Sequence, residues 1–320
     1  MYYIGIDLGG TNIAIGIVDS NMKIIKKSSI PTLSKRDAES IVRDMADLSS
    51  RLIDECNLNL SDIASVGIAT PGSIDYENGK VIYANNLNFN GFAMVDVFKK
   101  YLPIEKVFIE NDANVAALAE SVSGAAKGAK SSVMITLGTG VGGGIIIDNK
   151  IFRGYNGAAG ELGHMVIKHG GRPCTCGRRG CWEAYSSAVG LAKMTMERLF
   201  ECKALKIKTL MEREVELNKG KVNARTAFNA QKAGDKVACE LVKEYISYLA
   251  CGIVNLINIF QPEVISIGGG ISGEGDNLLE PLLKIADKAQ YTRDSKEKTK
   301  IKLATLGNDA GIIGAAALGM

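Results

Sequence analysis

The feature that most constrains the fold is a pattern that occurs twice: a hydrophobic strand, a glycine turn and a second hydrophobic strand. Near the N-terminus the order is YYIGID, LGGT and NIAIGIVD, and from residue 132 it is SVMITL, GTGVGGG and IIIDNKIF. With a shift of 129 positions, five of 17 aligned residues are identical. Two unrelated glycine hairpins could look alike, but the shared order of strands and turns favours a duplication.

Helical periodicity alternates with these strands, which predicts an α/β protein. Apolar residues at three- to four-residue spacing predict a helix within residues 35–57 and a long apolar helix over 236–260. Residues 200–235 are charged and are predicted to form a helical surface insertion. We expect two similar domains with a cleft between them. They cover residues 1–117 and 118–307, and a glycine- and alanine-rich helix at 308–320 returns to the first.

Composition and charge exclude several classes of protein. The chain has 320 residues, of which 46% are hydrophobic and 23% charged, as in globular proteins. Its 38 basic and 35 acidic residues give a net charge of +3, far below that of a dedicated nucleic-acid binder. Without an apolar run of roughly 18 residues or a basic leader, we expect a cytoplasmic protein with neither a membrane nor a nucleic-acid partner.

Three strand ends run into glycines: IDLGGTN at 6–12, LGTGVGGG at 137–144 and IGGG at 267–270. Any one of them could be only a tight hairpin, but glycine also lets backbone N–H groups approach a phosphate closely. The second turn fits G-x-G-x-x-G, yet a β-branched run follows it where a dinucleotide site requires a helix. The three turns together therefore predict a nucleotide phosphate site.

Two acidic residues are candidates for phosphoryl-transfer chemistry. Asp7 lies at the end of the first strand and could hold Mg²⁺, although an isolated Asp beside a glycine turn commonly caps that turn. Asp112 lies in ENDAN, at a predicted strand end before a helix. It could accept the proton of a hydroxyl during phosphoryl transfer, or it could be the N-cap of the helix.

A compact cluster of metal-binding side chains occupies residues 163–185, GHMVIKHGGRPCTCGRRGCWEAY. It holds both histidines of the chain, His164 and His169, and three of the seven cysteines, Cys174, Cys176 and Cys181. Three thiolates and one imidazole suit tetrahedral zinc with no open position, so the site is predicted to be structural. A redox pair of Cys174 and Cys176 is the alternative, and the spacing leaves either histidine as the fourth ligand.

These motifs, in this order, resemble the ROK family of sugar kinases in the actin–hexokinase superfamily. The segments that carry the likeness are IDLGGTN, ENDANVAA, LGTGVGGGIIIDNKIFRGYNGAAGELGH and CTCGRRGCWE, and they span nearly the whole chain. The pattern is most like that of the bacterial ROK glucokinases.

The resemblance implies ATP- and Mg²⁺-dependent phosphorylation of glucose at its 6-hydroxyl, a step of glycolysis, by a homodimer or homotetramer. N-acetylmannosamine, N-acetylglucosamine or fructose is an alternative substrate. A sugar-responsive repressor is a remoter alternative. Such relatives carry an N-terminal DNA-binding segment, and a glycine turn that begins at residue 7 is expected to leave no room for one.

The resemblance also implies roles for individual residues. Asp112 is the implied catalytic base. The implied sugar ligands are Gly72, Asn86, Asn111, Asp112, Glu161, His164 and Glu183. The implied nucleotide site comprises Asp7, Gly9, Gly10, Thr11, Asn12, Thr139, Gly140, Gly268 and Gly269. The implied zinc ligands are His164, Cys174, Cys176 and Cys181, so that His169 remains at the surface.

Overall fold

The computed structural model describes residues 1–84 and 87–320, and in that part of the chain it contains thirteen β-strands and ten α-helices. The strands are β1 (Tyr2–Leu8), β2 (Asn12–Asp19), β3 (Ile24–Pro31), β4 (Ile63–Thr70), β5 (Ser73–Asp75), β6 (Lys80–Tyr83), β7 (Asn90–Phe92), β8 (Val107–Asn111), β9 (Ser132–Leu137), β10 (Val141–Ile147), β11 (Lys150–Ile151), β12 (Val264–Gly268) and β13 (Lys300–Leu303). The helices are α1 (Ala38–Glu55), α2 (Met94–Tyr101), α3 (Asp112–Val122), α4 (Glu183–Ser186), α5 (Ala188–Leu205), α6 (Leu210–Leu217), α7 (Ala224–Lys232), α8 (Lys236–Phe260), α9 (Asp276–Ala289) and α10 (Ala310–Ala317).

Two five-stranded sheets have the same arrangement. The first has the order β3-β2-β1-β4-β8, and the second has β11-β10-β9-β12-β13. In the first, β1, β2 and β3 form an antiparallel meander, whereas β4 is parallel to both β1 and β8. In the second, β10 and β11 are antiparallel and β12 and β13 are parallel. This correspondence agrees with the duplication that the sequence predicts.

The chain divides into two compact units. The first comprises residues 1–134, 144–160 and 305–320, and the second comprises residues 135–143 and 161–304. In the first unit, the parallel strands β1, β4 and β8 all end at one edge of the sheet. Chain segments that follow parallel strands therefore meet at this edge, where α/β proteins bind their ligands.

Helix α1 packs one apolar face on the first sheet, as its periodicity predicts. Asp37 caps the helix, because its Oδ1 accepts a hydrogen bond of 2.8 Å from the backbone N–H of Ser40. Ile41, Met45 and Leu52 along this face are fully buried. The predicted helix at residues 35–57 is thus confirmed as α1.

Small residues allow helix α10 to lie directly on the first sheet. A Cβ atom at Gly5 of β1 would be 1.9 Å from the carbonyl oxygen of Ile312, and one at Gly67 of β4 would be 1.8 Å from that of Ala315. Only glycine permits such an approach of two backbones. The predicted glycine- and alanine-rich helix is confirmed, and it lies in the first unit.

The second unit is rich in helices. The predicted long apolar helix is α8, and the charged segment at 200–235 contains the end of α5 together with α6 and α7. Elements that the sequence did not predict are the three-stranded sheet β5-β6-β7, helices α2 and α9, and strand β13. No helix in the described ranges combines the length and the apolar character that crossing a membrane requires.

Candidate active site

The turn between β8 and α3 presents the Asp112 carboxylate at the edge of the first sheet. Asn111 is the N-cap of α3: its Oδ1 accepts hydrogen bonds from the backbone N–H groups of Ala113 at 2.9 Å and Asn114 at 3.4 Å. The alternative in which Asp112 caps this helix is therefore wrong, because the backbone of Asn111 is the extended one. Asp112 is the first helical residue, and its side chain is exposed.

Asn111 also ties this turn to the loop that follows β4. Its Nδ2 donates a hydrogen bond of 3.1 Å to the carbonyl oxygen of Gly72. Gly72 has a φ of 104°, and a Cβ there would be 2.1 Å from the carbonyl oxygen of Tyr83, so this position requires glycine. An amide nitrogen has two hydrogens, and Gly72 accepts one of those of Asn111 within the described residues, so that the other can serve a ligand. The predicted sugar ligand Asn86 lies outside the described residues.

A buried ion pair supports the same turn. The Glu110 side chain is only 3% exposed, and its Oε2 accepts a hydrogen bond of 2.5 Å from Nε of Arg153. The Arg153 guanidinium lies over the ring of Tyr76, 4.4 Å from its centroid. Sequence reasoning missed Arg153, since nothing in the local pattern connects it with an acid 43 residues earlier.

The first glycine turn is a hairpin that several hydrogen bonds stabilise. The backbone N–H of Gly9 donates to the carbonyl oxygen of Asn12 at 3.0 Å. The Thr32 hydroxyl donates to the carbonyl of Gly9 at 2.6 Å, and its N–H donates to the carbonyl of Thr11 at 2.8 Å. Thr11 and Asn12 are exposed and Gly10 is half-buried. The predicted phosphate turn is thus held by its own backbone and by Thr32.

Asp7 lies beside this turn in an environment that disfavours its charge. Burial first, and the negative charge of Asp112 second, raise the pKa of the Asp7 carboxyl from 3.8 to about 6. A Cβ at Gly311, in the first turn of α10, would be 2.3 Å from Oδ2 of Asp7. Asp7 and Asp112 are thus electrostatic neighbours within the first unit, although 105 residues separate them in sequence.

In the second unit, Glu183 contacts the second glycine turn. Its Oε2 accepts a hydrogen bond of 3.0 Å from the backbone N–H of Val141. A Cβ at Gly140 would be 2.3 Å from the same oxygen, so glycine leaves the space that the carboxylate occupies. Val141 begins strand β10, where a dinucleotide site would require a helix, so the structure agrees with the rejection of such a site.

The second and third glycine turns adjoin each other. Gly268 is buried at the end of β12, whereas Gly269 is exposed with a φ of 85°. A Cβ at Gly269 would be 2.6 Å from the backbone nitrogen of Leu137, which precedes the second turn. Two cavities open beside these turns. One of about 340 Å³ is lined by Gly138, Thr139, Arg225, Phe228, Gly270 and Glu274. One of about 270 Å³ is lined by Thr139, Gly140, Cys174, Glu183, Ser187 and Lys193.

The predicted zinc ligands form a cluster. One ligand atom from each of His164, Cys174, Cys176 and Cys181 lies within 4.8 Å of every other. The Cys174 Sγ is 3.6 Å from Nδ1 of His164, and the Sγ atoms of Cys176 and Cys181 are 3.7 Å apart. Bonds of about 2.3 Å to sulfur and 2.0 Å to nitrogen give a tetrahedron with edges of about 3.5–3.8 Å, so the four residues fit zinc. His169 is exposed and is not one of the four.

A short hairpin places the thiols. The backbone N–H of Cys174 donates to the carbonyl of Arg178 at 2.9 Å, and Gly177 turns the chain with a φ of 85°. Burial raises the pKa of the Cys181 thiol to about 12, whereas a backbone hydrogen bond from Arg178 lowers that of Cys176. A bound cation would favour the thiolate form of all three sulfurs.

The cluster is attached at both ends to predicted sugar ligands. Nδ1 of His164 faces Cys174, and its Nε2 lies 3.9 Å from Oε2 of Glu161. At the other end, Trp182 follows Cys181 and precedes Glu183. Trp182 is fully buried, and its indole N–H donates to the carbonyl of Tyr248 at 3.0 Å. The Sγ atom of Cys174 lies 3.9 Å from Oε1 of Glu183, so the segment holds Glu183 beside the cluster that includes His164.

Two solved structures that resemble this chain define its class of protein. The ROK hexokinase of Thermus thermophilus is similar over 99% of this chain and 97% of its own, with 31% identity and a TM-score of 0.81. A ROK family glucokinase of Streptomyces griseus, solved with glucose and AMPPNP, is 31% identical with a TM-score of 0.77 and covers 99% of both chains. The expected α/β fold of the actin/hexokinase class is confirmed.

The family follows from a second comparison. The ROK family model matches residues 3–320. The glucokinase of Halalkalibacterium halodurans is 37% identical over 314 residues, which cover 98% of this chain and 93% of the relative. The chain belongs to the ROK family. The predicted enzyme class, a sugar kinase, is confirmed with it.

Proposed function

We propose that this protein is an ATP-dependent hexose kinase that phosphorylates glucose at its 6-hydroxyl, with Asp112 as the general base. The observation that carries the proposal is the pairing of Asp7 and Asp112 at one edge of the first sheet. Phosphoryl transfer to an alcohol needs one carboxylate for the metal–phosphate complex and another for the acceptor hydroxyl. The relatives named glucokinase support glucose as the acceptor.

On the acceptor side, Asp112 would accept the proton of the 6-hydroxyl as the bond to phosphorus forms. Asn111 and the backbone of Gly72 would hold neighbouring hydroxyls in the first unit. Glu161, His164 and Glu183 supply a further set of hydroxyl ligands in the second unit. Once a bound sugar covers them, polar groups of this kind also reject analogues that lack the matching hydroxyl.

On the nucleotide side, the glycine turns supply backbone N–H groups to phosphate oxygens. Gly10, Thr11 and Asn12 would act in the first turn, whereas Gly9, whose N–H donates to the carbonyl of Asn12, would shape that turn. Thr139, Gly140, Gly268 and Gly269 would act in the second unit, where the 340 Å³ cavity has room for a nucleoside. Mg²⁺, when bound, neutralises the phosphate charge, and Asp7 is the carboxylate placed to hold it.

We further propose that the four-residue cluster holds one zinc ion. Four ligands fill the coordination shell, so this ion would be structural. It would keep the His164 imidazole and the Glu183 carboxylate at a fixed separation, because a metal and the groups that contact its ligands fix one another's orientation. A cytoplasmic homodimer or homotetramer is the expected state of the protein, and sedimentation equilibrium would test the assembly.

The proposal is tested by measuring ADP production with ATP, Mg²⁺ and glucose, mannose, fructose, N-acetylglucosamine or N-acetylmannosamine. We expect the highest kcat/KM with glucose and a product phosphorylated at the 6-position by NMR. A clear preference for another sugar would replace glucose by that sugar. No turnover with any of them, together with measurable sugar binding, would indicate a regulator instead of a kinase.

A further inference from the structure

In the part of the chain that the structure describes, the apolar side chains exposed on α5 and the exposed Cys239 and Cys251 have no second feature that identifies a partner or a ligand. The pair formed by Arg153 and Glu110 differs, because it contacts the turn that carries Asp112 at several points. This inference concerns that pair, and it rests on the proposed function.

Glu110 connects three parts of this turn. Its Oε1 accepts hydrogen bonds of 3.0 Å from the backbone N–H of Asn111 and from Nδ2 of Asn114. Its Oε2 accepts the hydrogen bond from Arg153. One carboxylate therefore links the residue before Asp112, the first turn of α3 and the segment that follows β11.

Arg153 is itself held in place. Its carbonyl oxygen accepts a hydrogen bond of 2.9 Å from the N–H of Ala159, which closes a loop in the first unit. Its guanidinium stacks on Tyr76, a residue that immediately follows β5. A planar cation fixed on two sides is suited to hold a carboxylate in one orientation.

The arrangement leaves one buried hydrogen-bond acceptor unsatisfied, which lowers the stability of the fold. The Oδ1 atom of Asn114 is buried and lacks a hydrogen-bond partner among the described residues. The Nδ2 group of the same amide is committed to Glu110, which fixes the orientation of the amide. A buried unsatisfied acceptor is unfavourable, and such costs concentrate at functional sites.

We propose that Arg153 is a positioning residue for the phosphoryl-transfer step. It orients the Asp112 carboxylate through Glu110, and it neutralises the buried negative charge of Glu110, which lies two residues before Asp112. Two other carboxyl groups lie near Asp112: Asp7 on β1, whose pKa the charge of Asp112 raises, and Glu110, two residues earlier in the chain. Arg153 is the cation that pairs with Glu110. An unneutralised Glu110 would favour the protonated, inactive form of the base.

The test compares pH–rate profiles of the full-length protein and four variants. Arg153→Met should lower kcat by about 10-fold or more with a change in KM for glucose under about threefold, and should move the acidic limb of the profile up by about 0.5–1 pH unit. Glu110→Gln leaves an uncompensated cation and should move this limb the other way. The double variant Glu110→Gln/Arg153→Met should return the limb to its original position.

The matched control is Arg198→Met. The Arg198 side chain is 24% exposed against 28% for Arg153, and it pairs with Glu201 and Glu244 on the surface of the second unit. Its removal should leave kcat and the acidic limb unchanged. An acidic limb that stays fixed in both Arg153→Met and Glu110→Gln would overturn the proposal. If Arg153→Met does not fold, the downward shift in Glu110→Gln decides alone.

A readout without turnover separates this inference from the proposed function. Protein labelled with ¹³C at the aspartate carboxyls is titrated by NMR, with the Asp112 signal assigned from its loss in Asp112→Asn. The midpoint should rise in Arg153→Met and fall in Glu110→Gln, even if no sugar is phosphorylated. If the protein is inactive but the midpoints shift, the kinase function is rejected and the electrostatic coupling of Arg153 to Asp112 is retained. If the protein is active but the midpoints do not shift, the kinase function is retained and the coupling is rejected.

Discussion

Asn111 and Asp112 stand side by side, and both belong to residue types that cap helices well. The sequence alone could not decide which of them caps α3. The backbone decides it, because Asn111 has φ and ψ of −63° and 142°, outside the helical region, whereas Asp112 begins the helix. The Asn111 amide caps the helix, and the Asp112 carboxylate lies at the edge of the sheet, where its Oδ1 also accepts a hydrogen bond of 2.8 Å from the N–H of Ala113.

For the proposed base, Asp112→Asn should lower kcat by about 10³-fold while the Kd for glucose changes by only a few-fold. The amide keeps the size of the side chain but does not accept a proton at neutral pH. Steady-state kinetics and calorimetric binding would measure the two effects, with the exposed Asp54→Asn on α1 as a control that retains activity. Near-normal turnover of Asp112→Asn would remove Asp112 as the base.

Asp7 should lower stability at neutral pH. Its folded pKa of about 6 lies above the unfolded value of 3.8, so the folded state holds the proton more tightly. Its unfavourable contribution is therefore absent below about pH 4 and complete above about pH 6. Two pKa units correspond to at most about 3 kcal/mol.

Asp7→Asn should consequently raise Tm at pH 7.5, leave Tm unchanged near pH 3.5, and abolish measurable binding of Mg²⁺–AMPPNP. Scanning calorimetry across pH and titration with the nucleotide analogue would measure these effects. A gain of stability joined to a loss of ligand binding is typical of a charge retained for function. Equal Tm values for both proteins at every pH would contradict the assigned environment of Asp7.

At the scale of a structural element, some features of the segment from Gly163 to Tyr185 follow from its sequence, and others follow from its fold. The spacing of its cysteines indicates a metal site without any structure, because that spacing is local. The choice of His164 over His169 was implied by the family resemblance, and the folded segment brings His164 to the thiols. Trp182 adds an anchor in the core, since its ring fills the space that Gly252 of α8 leaves open.

Removing zinc should loosen this element and be visible at Trp182, the single tryptophan of the chain. Chelation should release about one zinc per chain, shift the tryptophan emission to longer wavelength and raise KM for glucose more than it lowers kcat. Emission spectra, elemental analysis and kinetics before and after zinc is restored would follow these changes.

Matched variants identify the ligands. His164→Ala and Cys176→Ser should lose zinc and show the same spectral shift, whereas His169→Ala and Cys239→Ser should keep both the ion and the original emission. A protein that contains no zinc when purified in its presence, yet is fully active, would reject the structural role.

At the scale of the whole molecule, the two sheets share one strand order, and the chain returns to its first unit at residue 305. The carboxylate of Glu120 secures that return, because it accepts hydrogen bonds of 3.0 Å and 2.9 Å from the N–H groups of Thr305 and Leu306. Glycines at the sheet surface then let α10 pack on it.

Gly5→Ala should therefore destabilise the first unit by about 3 kcal/mol or more, because its Cβ would overlap the backbone of α10. Gly273→Ala is the matched control, since a Cβ there meets no atom within 4 Å and its φ is not positive. Denaturant unfolding of both variants would compare them. Equal stability would show that α10 does not pack on β1 as described.

The repeated strand–glycine–strand order, the amphipathic helices and the cysteine spacing could all be predicted from the sequence, because each depends on residues close together in the chain. The short sheet β5-β6-β7 could not, since its strands have only three or four residues and too little periodicity for a prediction. The same local signals led to the family, and through it to most of the candidate site.

Contacts between distant residues were decided by the tertiary structure alone. The chain brings Asp7 near Asp112, Arg153 onto Glu110 and α10 onto β1 only when the first sheet assembles. These contacts depend on which strands are parallel neighbours and where they end, and no local pattern records that. The sequence by itself determined which chemical groups the site can use, and the packing of the sheet decided which of them act together.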